Sequence, residues 1–414
     1  MNSDSTLILF TSSFPFGNGE TFLESELPFL AESFGRIFIV SNNLSAEQTR
    51  QIPPNAKVVR YPYTASSQSK MLALLNFLHL QNELKFMSRR GISRSKTNLS
   101  TLLTSYAKAH ELNSFLENVV AENNIQLSQL SLYSYWMNDL AAGIAMFKHK
   151  NQQVKAFCRA HGWDVYFERH TPAYLPLRNF ITSQLDAVYC ISQNGKNYLD
   201  ELTREQFSQK IKLARLGTFN KKNVLSKSNS QKLKLLSCSN IIPLKQIHLI
   251  VEALSLINNF EIDWIHFGMG AQKSEIEKLA LEKLAGKKNI LFEFGGQISN
   301  EALLNYYSSN AIDAFINVSE TEGLPVSIME ANSFGIPAIA TNVGGVSEIV
   351  RNDENGFLLG ANCAASEIAE AIKKFYALSL EEKSAMRKNA FEIWNKSFNA
   401  EINYPAFIQS ISSL

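Results

Sequence analysis

The chain is poor in cysteine. It has four in 414 residues, Cys158, Cys190, Cys238 and Cys363, and none forms a Cys-x-x-Cys pair. That spacing argues against an ordinary zinc site and a disulfide framework, and it fits a reducing compartment. All four read as small buried core residues. A charge surplus is also missing: 40 basic residues nearly cancel 38 acidic ones, leaving +2. A dedicated nucleic-acid binder would be strongly basic. No apolar run approaches the length needed to span a bilayer. Leu7 to Phe10 is only a strand-length run with no charged leader, so no secretory signal is read. These absences point to a cytoplasmic protein.

What is present is ample apolar content. Hydrophobic residues make up 45% and charged residues 19%, which suits a globular protein with large cores. At this length two domains are expected. Leu7–Thr11 reads as a strand, Phe22–Ser33 as a helix and Arg36–Ser41 as a second strand, the start of a doubly wound sheet. Between the first strand and helix lies a loop with Gly17, Gly19 and Glu20. Its glycines permit close backbone approach, and the helix N-terminus after it suits an anion.

From about residue 66 to 112 the β-α alternation breaks. Lys70–Met87 reads as an amphipathic helix followed by Arg89, Arg90, Arg94 and Lys96. Such a stretch could dock on an anionic membrane surface through residues 70–96, or it could pack as an inserted helix on its own domain. Strands resume at Leu130–Tyr135, Val154–Arg159, Ala187–Ile191 and Lys212–Leu216. His161-Gly162 follows one of them, at the strand end where ligands are bound in such sheets.

A polar stretch, Asn220–Lys232, reads as a linker, and the same grammar then restarts. Leu233–Cys238, Ile262–Phe267, Asn289–Phe294, Ala311–Val318 and Ala338–Thr341 read as strands, with helices between them. The two halves share an architecture without a sequence repeat.

The densest chemistry lies in Asn317–Val350. Glu322 sits in a loop after a strand, and Glu330 sits in the next helix. Carboxylates accept well from vicinal hydroxyls, and the helix-start amides near Gly323, Leu324 and Pro325 (which itself lacks an N–H) suit an anion. Two solvated acids beside a helix start would look the same if taken alone. The context adds Lys245 after the first strand of this half, a point charge for a diphosphate. It also adds Gly268 and Gly270 after the second strand, where a base or phosphate could come close.

The segment EGLPVSIME with GIPAIATNVGG and Glu348 closely resembles the retaining glycosyltransferases of family four, which have the GT-B fold. TSSFPFGNGETFLESELPFL, RAHGWDVY and the RLGT turn at Arg215 are similar to that family too. It most resembles bacterial members that build cell-surface polysaccharides. The resemblance implies a first Rossmann-like, acceptor-binding domain, residues 1–217, joined by a returning helix at 398–414. The second, nucleotide-sugar-binding domain would be residues 218–397, with a hinged cleft between the two. It implies that Glu330 binds the ribose and that Glu322 binds the donor sugar, helped by the Gly323 and Leu324 amides. Lys245 would hold the diphosphate and His161 would contact the transferred sugar. Gly17 to Glu20 would close over the donor phosphate and the acceptor, and the base would rest near Gln297 and Ile298. No metal or other cofactor is implied, because the nucleotide sugar is a co-substrate, most simply a UDP-hexose.

The sequence departs from the family at Asn240, where an arginine is usual. Lys245 and the helix amides could suffice, or Arg159 or Arg215 could compensate. Two alternatives therefore stay open. One is a catalytically degenerate scaffold of the same fold that binds nucleotide sugar or glycan. The other is an inverting transferase or epimerase with Asp164 or Glu20 as its carboxylate.

Overall fold

The computed structural model describes residues 5–17, 19–43, 47–61, 77–220 and 232–414. It divides into two compact units, Met1–Leu216 with Tyr404–Leu414, and Gly217–Asn403.

Unit 1 is built on seven parallel strands: β1 (Thr6–Thr11), β2 (Arg36–Ser41), β3 (Ala56–Arg60), β4 (Leu130–Ser134), β5 (Lys155–Ala160), β6 (Ala187–Cys190) and β7 (Ile211–Leu213). Their order is β3-β2-β1-β4-β5-β6-β7. The apolar runs of β1 and β2 are nearly continuous because both faces of the sheet are covered. Ile8, Phe10, Phe38 and Val40 feed one core, while Leu7, Leu9, Ile37 and Ile39 feed the other. That is the period-2 alternation of a strand. The chain winds outward from β1 to β3, then restarts on the other side at β4. The crevice outside β1 and β4 is therefore the switch point at which such sheets bind ligands.

The C-terminal helix Ala400–Ser412 supplies Phe407 and Ile411 to the second of these cores. Phe407 packs among Tyr133, Phe157 and Tyr189. The Arg159 guanidinium lies 4.1 Å from the Phe407 ring centre. The returning helix thus belongs to unit 1 from Tyr404 onward. In unit 2, Thr218 bridges Asn399, and Trp394 Nε1 donates to Thr218 Oγ1 at 2.8 Å. A Cβ at Gly217 would lie 2.4 Å from Ala400 Cα, so only glycine fits there.

The helical insertion resolves toward packing. Helix Phe77–Arg89 buries Leu80, Phe86 and Met87 in the core. Its Glu83 is buried and accepts from Tyr174 Oη at 2.9 Å and Leu177 N at 3.1 Å. The apolar side of this described part is spent on its own unit and is not a bilayer face. Arg90 donates to the Glu201 carbonyl, and Arg94 donates to the Leu84 carbonyl and Ser88. Residues 70–76 of the expected membrane stretch, and 221–231 of the expected linker, lie outside the described residues. A 27-residue helix, Lys96–Glu122, follows. Among the described residues no helix is long and apolar enough to cross a membrane.

Unit 2 holds β8 (Leu233–Cys238), β9 (Ile262–Phe267), β10 (Ile290–Gly296), β11 (Ala314–Asn317), β12 (Ala338–Thr341) and β13 (Gly356–Leu359). Their order is β10-β9-β8-β11-β12-β13, all parallel. Its switch point lies between β8 and β11. Two edge strands, β3 and β13, escape the sequence reading, β13 although it is apolar and Gly356 and Phe357 are buried. In β3 no residue is fully buried.

Candidate active site

In unit 2 the loops after β8 and β11 flank the switch point and are stitched together. Pro243–Lys245 forms a short 3₁₀ turn, and Glu320 N donates to the Leu244 carbonyl at 2.9 Å. Across that seam Lys245 Nζ meets Glu322 Oε1 at 2.6 Å, and Asn317 Nδ2 adds a 3.3 Å bond to the same oxygen. The β12 loop closes the third side. Gly344 is in the left-handed region, φ +55°, where a Cβ would lie 1.9 Å from the Glu322 carbonyl, and Gly345 N donates to the Gly323 carbonyl. Two residues read from sequence as donor ligands, Lys245 and Glu322, are thus in direct contact. Leu324 and Pro325 are buried and lead into helix Val326–Ser333.

A pocket of about 410 Å³ opens beside this seam, lined by Cys238, Ser239, Asn240, Phe267, Gly268, Met269, Gly270, Gln297 and Ile298. Five of the expected donor residues, Asn240, Gly268, Gly270, Gln297 and Ile298, meet there. The glycines earn their place differently from the expectation. A Cβ on Gly268 would sit 1.8 Å from the Ser239 carbonyl, and one on Gly270 would sit 2.2 Å from the Ile241 carbonyl. They let the β8 and β9 loops touch, and so give the pocket its wall.

Glu330 lies deeper. It is 7% exposed, and Asn300 Nδ2 donates to its Oε1. Burial pushes its carboxyl up to about 7, while the Asn300 bond pulls down. Its charge reaches Cys238 in the pocket wall, whose thiol is pushed up to about 12, first by burial and then by Glu330. Glu322 and Glu330 are therefore in unlike settings, one ion-paired and one held in a dry site.

In unit 1, His161 follows β5 and is 8% exposed. Its ring lies between Tyr135 (centroids 4.8 Å apart) and Trp136 (4.5 Å). Neither ring nitrogen has a hydrogen-bond partner. Asp164, a candidate catalytic carboxylate, accepts from His161 N at 2.5 Å and Met137 N at 2.6 Å. Glu20, the other candidate, accepts from the amides of Ser12, Ser13 and Phe14, each at 2.7 Å. The anion at this loop is the chain's own. Gly17 (φ +62°) and Gly19 shape the loop, since a Cβ on Gly19 would sit 2.7 Å from Ser13 Oγ.

Arg159 does not stand in for the arginine replaced by Asn240. It is fully buried, paired with Glu26 at 2.9 Å and bonded to the Ala214 carbonyl at 2.7 Å. Among the described residues no three His, Cys, Asp or Glu side chains gather as metal ligands. The sequence reading missed Asn300 and Asn317, which orient the two glutamates. Asn300 lies 30 residues from Glu330 on another helix, so no local pattern joins them.

Residues 219–393 match the family model described as glycosyl transferases group 1. The match falls on unit 2, less than half of the chain. The chain is 26% identical over 254 residues to the putative colanic acid biosynthesis glycosyltransferase WcaL of Escherichia coli K12. That alignment covers 58% of this chain and 60% of that relative. A 52-residue stretch is 42% identical to an E. coli UDP-Gal:alpha-D-GlcNAc-diphosphoundecaprenol alpha-1,3-galactosyltransferase, covering 13% of each chain. Among solved structures, Anabaena HepE in complex with UDP and glucose superposes with a TM-score of 0.67 at 16% identity. That superposition covers 99% of this chain and all of the other. The fold is GT-B, two parallel-sheet α/β domains, and the match to the group 1 glycosyl transferase model lies within its second unit.

Proposed function

We infer that the chain is a retaining glycosyltransferase. It moves a hexose from a UDP-linked donor to a lipid-linked or growing glycan in polysaccharide biosynthesis. The observation that carries this reading is the Lys245–Glu322 contact at the unit 2 switch point, beside a pocket lined by Asn240, Gly268, Gly270, Gln297 and Ile298. A cation for a diphosphate and a carboxylate for sugar hydroxyls lie side by side there, and Glu330 supplies a second carboxylate for the ribose. HepE's bound UDP and glucose, and the donor and acceptor named for the E. coli galactosyltransferase, favour the same substrates.

On this reading the leaving diphosphate takes the acceptor's proton on the face of departure. The protein supplies position and charge. Lys245 neutralises the leaving group, Glu322 orients the sugar, and His161 meets the transferred sugar. Asp164 and Glu20, the candidate inverting bases, each hold backbone amides with their carboxylate oxygens, which disfavours them in that role. No metal takes part. A degenerate scaffold is the second reading, motivated by Asn240.

A mass-spectrometric screen of nucleotide sugars, without acceptor, separates the two. Slow release of UDP from one donor, lost in Lys245→Ala and Glu330→Ala, supports transfer. Tight binding with no release from any donor supports the scaffold. The enzyme would work at the inner face of the cell membrane, with Lys85, Arg89, Arg90, Arg94 and Lys96 meeting anionic lipid. Liposome co-sedimentation should then need anionic lipid and fall with salt. Binding indifferent to both would remove that part.

A further inference from the structure

The unit 1 switch point carries a contact that mirrors Lys245–Glu322. Glu20 comes from the loop after β1, and Trp136 comes from the loop after β4. The indole Nε1 donates to Glu20 Oε1 at 2.6 Å. The same carboxylate accepts from Ser12 N on Oε1, and from Ser13 N, Phe14 N and Ser13 Oγ on Oε2. All four lone-pair directions of the carboxylate are used, and every donor demands an acceptor. Glu20 adopts φ +56°, a left-handed conformation that a non-glycine residue takes only when its surroundings impose it. The loop is tied down further by Thr49 Oγ1 donating to the Gly17 carbonyl at 2.9 Å, and by Arg50 donating to that of Gly19.

On its other side the Trp136 ring packs against His161, whose two ring nitrogens are buried without partners. With no hydrogen bond at either ring nitrogen and the Asp164 carboxylate 3.9 Å from Nδ1, the orientation of the imidazole rests chiefly on the rings that flank it. Tyr135, just past β4 and tied by its N–H to the Phe10 carbonyl, supplies one wall, and Trp136 supplies the other. The indole plane is in turn fixed by its single N–H, which ends on Glu20.

We propose that Glu20 is a positioning residue: through the Trp136 indole it holds the His161 ring in the orientation that meets a hydroxyl of the transferred sugar. The proposal rests on the glycosyl-transfer reading for its catalytic half only. Its geometric half stands on the contacts above.

Two measurements test it. The first is the ring-proton resonance of His161 in histidine-labelled protein, assigned by its loss in His161→Ala. In the wild type it is displaced by the two flanking aromatic rings. Glu20→Gln keeps the size of the side chain but sets an N–H against donors, so the resonance should move toward that of a solvent-exposed histidine. An unmoved resonance in folded Glu20→Gln overturns the proposal.

The second is turnover of the UDP-hexose found in the donor screen. Glu20→Gln and Trp136→Phe should each lower kcat by about 10- to 100-fold, with KM for donor changed less than about threefold. The double variant should be no slower than the worse single one. Multiplying losses would overturn the proposal, as would losses confined to KM. Should Glu20→Gln fail to fold, Trp136→Phe decides alone, and a wild-type kcat there refutes it. If the resonance moves but no nucleotide sugar is turned over, positioning stands and the glycosyltransferase reading falls.

Discussion

The buried Glu330 should make donor binding proton-linked. Burial raises its carboxyl to about 7, against the opposing pull of the Asn300 hydrogen bond. Ribose hydroxyls donate to an ionised carboxylate, so a bound donor favours the charged form and expels the proton. If binding returns the group to its ordinary value near 4.5, about 0.9 proton is released per donor at pH 6 and about 0.1 at pH 8. The donor's apparent dissociation constant then rises about tenfold between pH 8 and pH 6. Titration calorimetry in two buffers of unlike ionisation enthalpy reads this directly. The phosphates of a nucleotide diphosphosugar do not titrate in this range. His266, under the pocket wall, is pushed down to about 4 by burial and stays neutral.

Stability gives a second reading of the same group. The folded-state value lies above the unfolded one, so the folded protein holds more protons between about pH 4.5 and 7 and loses stability as pH rises through that window. The loss is on the order of 3 kcal/mol at most. Glu330→Gln should therefore unfold at a higher temperature than the wild type at pH 8, and should release no proton on donor binding. Equal heats in both buffers at pH 6 would refute the reasoning. So would a proton release that survives in Glu330→Gln.

The Lys245–Glu322 pair is partly solvated, with side chains 21% and 11% exposed, so its net contribution to folding is about 1 kcal/mol or less. Lys245→Ala should accordingly keep a near-native melting temperature while kcat/KM with the UDP-hexose falls by at least about 100-fold; a loss below about tenfold would remove Lys245 from the leaving-group role. Gly270→Ala drives a methyl into the Ile241 carbonyl, so it should both lower the melting temperature and weaken UDP binding. Gly286→Ala, with nothing within 4 Å, should stay within about 1 kcal/mol of wild type. Equal melting curves for the two would show that the pocket wall does not need its glycine.

The sheet architecture was legible because parallel strands buried on both faces write themselves as apolar runs. Arg36–Ser41, Leu233–Cys238, Ile262–Phe267 and Ala338–Thr341 fall where the sequence puts them. Strand β3 did not, for want of that burial; β13 is apolar and half buried, and was passed over all the same. The site was legible as a list of strand-end residues and not as a set of contacts. Nothing in the spacing of Lys245 and Glu322 says that they pair, since the seam depends on two loops brought together by the β8–β11 neighbourhood. Arg159 illustrates the opposite error. It stands one residue before the strand end, and the alternation of β5 turns it into the core toward Glu26, away from any ligand. Glu20 could not be seen as a loop anchor, because three of its partners are backbone amides and the Trp136 indole comes from 116 residues away.

Proton NMR of the purified chain with a panel of UDP-, GDP- and dTDP-hexoses tests the central claim most directly. One UDP-hexose should be consumed with release of UDP, and the anomeric proton of the sugar first passed to water should carry the same configuration as the donor's, before mutarotation. A product of opposite configuration, or no consumption of any nucleotide sugar by folded protein, would contradict the assignment of this GT-B chain as a retaining glycosyltransferase.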